Sequence, residues 1–270
     1  MIVASSSASA VISSANRNSQ DILQTIELSR EELQPRGTRF IVARMGGTGS
    51  AWLAKLLNSH PDVFCSHEAV AARAFPAKQY SGEDIFLFLR WLAWDTMHEA
   101  YAAIGDVGSV WQSHAVAVPG FRTALLIRHP ARVLASRLAT YPNDQSFTDI
   151  WTQDAIREIW DIDISRFDPL DQVFLNDLYI FAAHLWGLQR GIRIIRIEDL
   201  ARPQDCHNAA KYLTGLEYPA QIIDEAIKRP VNQRVKPAPI QQIVSGFTAR
   251  QREWYRLILR DVAPEFGYEL

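Results

Sequence analysis

Between residues 44 and 52 the chain reads Arg44-Met45-Gly46-Gly47-Thr48-Gly49-Ser50-Ala51-Trp52. Three glycines let the backbone turn tightly enough for successive N–H groups to face one anion, and a helix starting there adds its positive partial charge. Thr48 and Ser50 add hydroxyl donors. The chemistry served by such a segment is the binding of a phosphate or sulfate group. Two familiar versions fail. A Walker A loop requires Gly-Lys-Ser/Thr, which does not follow here, and a dinucleotide fingerprint requires a third glycine where Trp52 stands. Taken alone, Gly46 to Ser50 is equally well a plain turn between a strand and a helix.

A second group is Arg128-His129-Pro130-Ala131-Arg132-Val133-Leu134-Ala135-Ser136. Pro130 suits the first turn of a helix, and an arginine at that end is opposed by the helix dipole unless an anion answers it. Bases are available in Glu68, closing Asp62-Val63-Phe64-Cys65-Ser66-His67-Glu68, and in His114, within Trp111-Gln112-Ser113-His114, with His67 third. Glu68 is equally a surface carboxylate, and a lone loop histidine such as His114 is ordinarily just solvated. The seven histidines show no metal-binding spacing, so no metal is expected. Cys65 and Cys206 are too few for a disulfide framework or a thiolate site. Glu198-Asp199 reads as a helix cap rather than a catalytic carboxylate pair.

The elements that must hold these residues alternate in type. Phe40 to Ala43 is a short apolar run bounded by Gly37 and Gly46, the pattern of a parallel strand covered on both faces. Trp52, Leu53, Leu56 and Leu57 then follow a helical period, ending before Pro61. Val63-Phe64 is a short second strand. Ala124 to Ile127 leads into Pro130 and a helix bearing Leu134 and Leu138, and Ile192 to Ile195 leads into a helical stretch through Leu213. Long helical segments are expected over 83–103, 171–190 and 248–262. Strands alternating with helices imply an α/β fold with three layers, a parallel sheet flanked by helices. Ligands then sit at the carboxyl ends of the strands. The aromatic residues of 83–103 form either core or the wall of an acceptor pocket, and residues 141–170 are read as a lid.

The chain has 270 residues, 48% of them hydrophobic and 21% charged, with a formal net charge of −2. These values exclude a fibrous or disordered chain and give no electrostatic case for nucleic acid or a membrane surface. A disordered Ser/Ala-rich tail is expected over residues 1–20 and a single domain over 21–270, opening with a lead-in helix at 20–35. No secretory signal or membrane span is apparent, which implies a cytoplasmic location.

Gly47 to Leu53, followed by Leu56-Leu57-Asn58-Ser59-His60-Pro61-Asp62-Val63, resembles the 5′-phosphosulfate loop and first helix of sulfotransferases. Arg128 to Ser136 resembles that family's second motif, Arg196-Ile197-Glu198-Asp199-Leu200 its Arg-Tyr-Glu-Asp-Leu segment, and Gly267-Tyr268 its C-terminal ending. The resemblance runs in order over roughly residues 38 to 270. It implies the P-loop-NTPase-like sulfotransferase fold. The implied reaction moves a sulfuryl group from 3′-phosphoadenosine 5′-phosphosulfate to a hydroxyl or amine, releasing 3′-phosphoadenosine 5′-phosphate. The acceptor is read as a small molecule, with a protein acceptor as the alternative. The same resemblance implies that Arg44, Gly46, Gly47, Thr48, Gly49, Ser50, Ala51 and Trp52 line the donor's 5′ end. Arg128 and Ser136 then hold the 3′-phosphate, with Arg234 in the late basic loop 232–237 beside them. Glu68 stands where some sulfotransferases carry a glutamate base, with Arg73 echoing their following arginine, and His114 lies where another branch carries a histidine base. One departure stands out. The family's loop usually has Lys or Arg at the position of Gly47, so Arg44, Arg73 or a loop cation must supply that charge. If none does, the chain is a nucleotide-binding protein of the same fold that is catalytically weak or inactive.

Overall fold

Five short strands form a parallel sheet, and the helices between them cover its two faces. The computed structural model describes residues 3–28, 35, 37–68, 82–94, 99–108, 119–140, 150–229 and 238–270. Strands β1 (Thr38–Arg44), β2 (Val63–His67), β3 (Ala103–Gly108), β4 (Phe121–Ile127) and β5 (Arg193–Arg196) lie in the order β2-β3-β1-β4-β5. All four pairings are parallel, with Ile41 opposite Asp106 on one side and Thr123 on the other. The expected α/β architecture is therefore present.

Alternation along each strand divides the core in two. Phe40 and Val42 of β1 and Ala124 and Leu126 of β4 face helices α2 (Ser50–Leu57), α7 (Pro203–Thr214) and α8 (Ala220–Lys228). Ile41, Ala43, Leu125 and Ile127 face the other way. That face is covered by α3 (Gly82–Trp94), α4 (Pro130–Thr140), α5 (Ile150–Trp160), α6 (Pro169–Gln189) and α10 (Ala249–Leu259), with the short α9 (Ile240–Ser245) against α4. Helix α6 is apolar on nearly every side because it is the buried spine of this layer. Asp168 starts it by accepting the N–H groups of Leu170 and Asp171, each at 3.0 Å.

Three expectations are corrected. Residues 3–28 form one helix, α1, where a disordered tail was expected over 1–20 and a separate helix over 20–35. Val11 and Ala15 are buried against the core, the Ser14 and Tyr179 hydroxyls lie 3.2 Å apart, and the Trp186 indole N–H donates to Asn16. Small side chains make the segment read as weakly hydrophobic, yet they let this helix lie close against α6. Second, the helix expected over 83–103 ends at Trp94, and Ala103 begins β3. Third, of the lid expected over 141–170, residues 150–170 are packed structure: Ile156 is fully buried and Asp163 caps a helical turn at Ile164–Arg166. Residues 141–149 lie outside the described residues. Among the described residues no helix is long and apolar enough to cross a membrane.

Candidate functional site

The carboxyl end of β1 turns directly into α2 through Met45 to Gly49. Gly47 (φ 80°) and Gly49 (φ 93°) take the left-handed conformation that turns the chain here. Thr48 is buried, and its hydroxyl donates to the Met45 carbonyl at 2.9 Å, so it braces the loop instead of facing outward as expected. Among the described residues, the N–H groups of Gly47 to Ala51 donate to no backbone carbonyl of the turn. Free N–H groups at a helix start, with no acidic residue in the first turn, are the elements of an anion cradle. Trp52 is half-buried, and its indole N–H donates to the Ala226 carbonyl at 3.0 Å, tying α2 to α8.

The second motif comes to the same loop. Arg128, at the end of β4, donates through Nη1 to the Gly47 carbonyl at 3.0 Å. From α4, Ser136 lies so close that a Cβ built on Gly47 would stand 3.5 Å from its Oγ. The next residue, Arg137, lies against Gly46, its Cδ and Nη1 each 3.1 Å from where a Cβ would be. Arg137 is held by a buried ion pair with Asp177 of α6 at 2.9 Å. Sequence reasoning missed this pair, because nothing in the spacing of two residues 40 positions apart announces it.

A third cluster lies at the end of β2. Arg44, the last residue of β1, is buried and ion-paired with Glu68. Glu68 has φ 58°, unusual for a residue with a side chain, and its N–H donates to the Val107 carbonyl at 3.1 Å. Strained backbone of this sort costs on the order of 1–3 kcal/mol and gathers at functional sites. The neighbouring His67 places Nε2 3.0 Å from Ser50 Oγ, at the start of α2. Burial, and secondarily the Arg44 guanidinium, lowers the His67 ring from 6.5 to about 4. The native protein therefore binds fewer protons here than the unfolded chain. The stability from neutral His67 is complete above about 6.5 and lost as pH falls through that value toward about 4. An NMR titration of the His67 ring should give a midpoint near 4, rising in Arg44→Gln; a midpoint at 6.5 in the unaltered protein would contradict this packing.

Behind Arg128 the helix cap expected at Glu198-Asp199 is not formed. Asp199 pairs with Arg196 at 2.7 Å and Arg202 at 2.9 Å. Glu198 makes no side-chain cap to its own helical turn, Asp199–Ala201. It accepts instead the backbone N–H of His129, at the start of α4, and the hydroxyl of Tyr268, both at 2.9 Å. Burial weighs against the charge on Arg128, and Glu198 favours it.

The structure thus gathers Arg44, the loop Gly46 to Ala51, Glu68, Arg128 and Ser136 at the carboxyl end of the sheet. His114, Arg73 and Arg234, with the rest of the late basic loop, lie outside the described residues. Among the described residues no group of three or more His, Cys, Asp and Glu side chains could hold a metal ion.

Among solved structures, the chain is similar to the crystal structure of a sulfotransferase from Alicyclobacillus acidocaldarius. The TM-score is 0.42 and the identity 15%, over 83% of this chain and 96% of that one. No protein-family model matches the chain. No curated protein matches it.

Proposed function

We propose that this protein is a sulfotransferase that uses 3′-phosphoadenosine 5′-phosphosulfate as donor and a small-molecule hydroxyl or amine as acceptor. The observation that carries the proposal is the meeting of Arg128 and Ser136 with the glycine loop at Gly47. A bisphosphorylated nucleotide needs two anion sites a short distance apart. Here a helix start with free N–H groups and a guanidinium with an adjacent hydroxyl supply them. In this reading the N–H groups of Gly47 to Ala51 hold the donor's 5′ phosphosulfate, and Arg128 with Ser136 holds its 3′-phosphate.

Sulfuryl transfer moves a compact anionic group in line between two oxygens, so positioning and charge stabilisation carry most of the catalysis. The acceptor oxygen or nitrogen forms a bond to sulfur as the bond from sulfur to the bridging oxygen of the 5′-phosphate breaks. The acceptor proton passes to the Glu68 carboxylate, and the 3′,5′-bisphosphate leaves. Glu68 is held beside the loop by its pairing with Arg44. As the proton arrives, the carboxylate's attraction for Arg44 weakens, and the guanidinium charge becomes available to the departing phosphate. This gives Arg44 the role for which Gly47 has no side chain.

A second reading, a nucleotide-binding protein of the same fold without turnover, is favoured by one observation. Gly47 sits at φ 80°, a conformation that disfavours the lysine or arginine usual at that place. Calorimetric titration with 3′-phosphoadenosine 5′-phosphate, run beside ATP and 5′-AMP, tests what both readings share. Binding of the bisphosphate in preference to the other two is expected. Arg128→Ala should weaken it by about 100-fold, since a charge-assisted bidentate contact is worth roughly 1.5–3 kcal/mol. A folded sample that ignores the bisphosphate would overturn the proposal, and an acceptor screen showing turnover would separate the two readings.

A further inference from the structure

We infer that Glu198 and Tyr268 are positioning residues that set Arg128 for the 3′-phosphate through a clamp built from the segment Gly267 to Glu269. The inference rests on the proposal that Arg128 binds that phosphate.

The clamp begins one peptide beyond Arg128. The two carboxylate oxygens of Glu198 are divided between two donors: Oε1 takes the backbone N–H of His129, and Oε2 takes the Tyr268 hydroxyl. The His129 ring closes the other side. Its Nδ1 lies 3.3 Å from the N–H of Ala131, and its Nε2 lies 3.0 Å from the Glu269 carbonyl. An amide can only donate and a carbonyl can only accept, so the ring is the neutral tautomer with its proton on Nε2. Tyr268 then meets that ring edge-on, with centroids 5.2 Å apart. From β5, Arg196 donates to the Gly267 carbonyl at 3.0 Å and lies over the Tyr268 ring. Gly267 has φ 73°, the left-handed conformation that favours glycine.

These contacts fix the backbone at residue 129 from three directions. The peptide that carries Arg128 cannot rotate about the end of β4 without losing the Glu198 bond. Both oxygens of Glu198 accept hydrogen bonds from the protein, which fixes the carboxylate in place, and its charge favours the guanidinium form of Arg128. Glu198 leaves its own helical turn uncapped to make these bonds.

The test separates positioning from stability by comparing two ligands that differ in one group. Unaltered protein and Tyr268→Phe are titrated with 3′-phosphoadenosine 5′-phosphate and with 5′-AMP, which lacks the 3′-phosphate. Tyr268→Phe is expected to weaken the bisphosphate by about tenfold, the scale of one hydrogen bond to a charged group. Affinity for 5′-AMP should change by less than about twofold. Glu198→Gln, which keeps one acceptor oxygen, should fall between Tyr268→Phe and Glu198→Ala in the same ratio, and it decides the matter if Tyr268→Phe does not fold. Equal weakening of both ligands, or none of either, would overturn the inference while leaving the donor assignment intact. If the unaltered protein does not distinguish the two ligands, the donor assignment fails and the inference fails with it.

Discussion

Glu68→Gln is expected to lower turnover by about 10²–10⁴-fold, the usual contribution of a general base. Affinity for 3′-phosphoadenosine 5′-phosphate should stay within about twofold, since no anion contact is removed. Gln preserves the size of the side chain and has the same difficulty as Glu with φ 58°, so the backbone has no new reason to move. What changes is the partner of Arg44, which exchanges a carboxylate for an amide in a buried setting. A modest fall in thermal midpoint should accompany the loss of rate. Single-turnover measurement at saturating donor isolates the chemical step. Full turnover in this variant would remove Glu68 from the mechanism and move attention to His67, whose neutral ring already faces Ser50.

Asp177→Ala should cost about 3–5 kcal/mol, because it strands a buried guanidinium without its counter-charge. Asp177 and Arg137 are both buried, with Nε and Oδ2 2.9 Å apart. Burial pushes the Asp177 carboxyl upward and Arg137 opposes that rise, so the pair is held charged by mutual attraction against the cost of desolvation. Denaturant unfolding of the single variant, beside the double variant Arg137→Met/Asp177→Leu, measures both parts. The double variant should recover most of the stability, since apolar replacement of a buried pair is often neutral or better. A single-variant loss below about 1 kcal/mol would show that Arg137 finds another partner or reaches water. Because Arg137 lies against Gly46, anion binding in the single variant should fall as well.

The sequence made four of the five strands visible for a physical reason: β1, β4 and β5 carry continuous apolar runs, and Val63-Phe64 marks the start of β2. Strand β3 was hidden because Gly105 and Asp106 interrupt its run. The glycine is required, since the Phe40 ring lies 2.2 Å from where a Cβ would stand, and the aspartate accepts the Ser66 hydroxyl at 2.6 Å. Helix α1 was hidden because alanine and serine mark burial poorly, and its contacts with α6 are made to residues far along the chain. The loop and Arg128 were legible because their chemistry is local, a turn and a helix start. The pairing of Arg44 with Glu68 was not, because it depends on β2 and β1 ending side by side around β3. Glu198 was assigned to a local cap, and only the fold could reveal that its partners lie 69 and 70 positions away.

The strand order has a kinetic consequence. Strand β1 sits at the centre of the sheet, yet both of its neighbours come much later in the chain, and Gly47 meets its Arg128 partner across 81 positions. Loops that long must close before any of their contacts can reward the closure, so topologies of this kind fold slowly for their size. Until β3 and β4 arrive, β1 presents two unpaired edges carrying Phe40, Ile41 and Val42. That is the species most prone to associate with another copy of itself during refolding. Refolding yield should therefore fall with protein concentration well before the native state itself shows any tendency to aggregate.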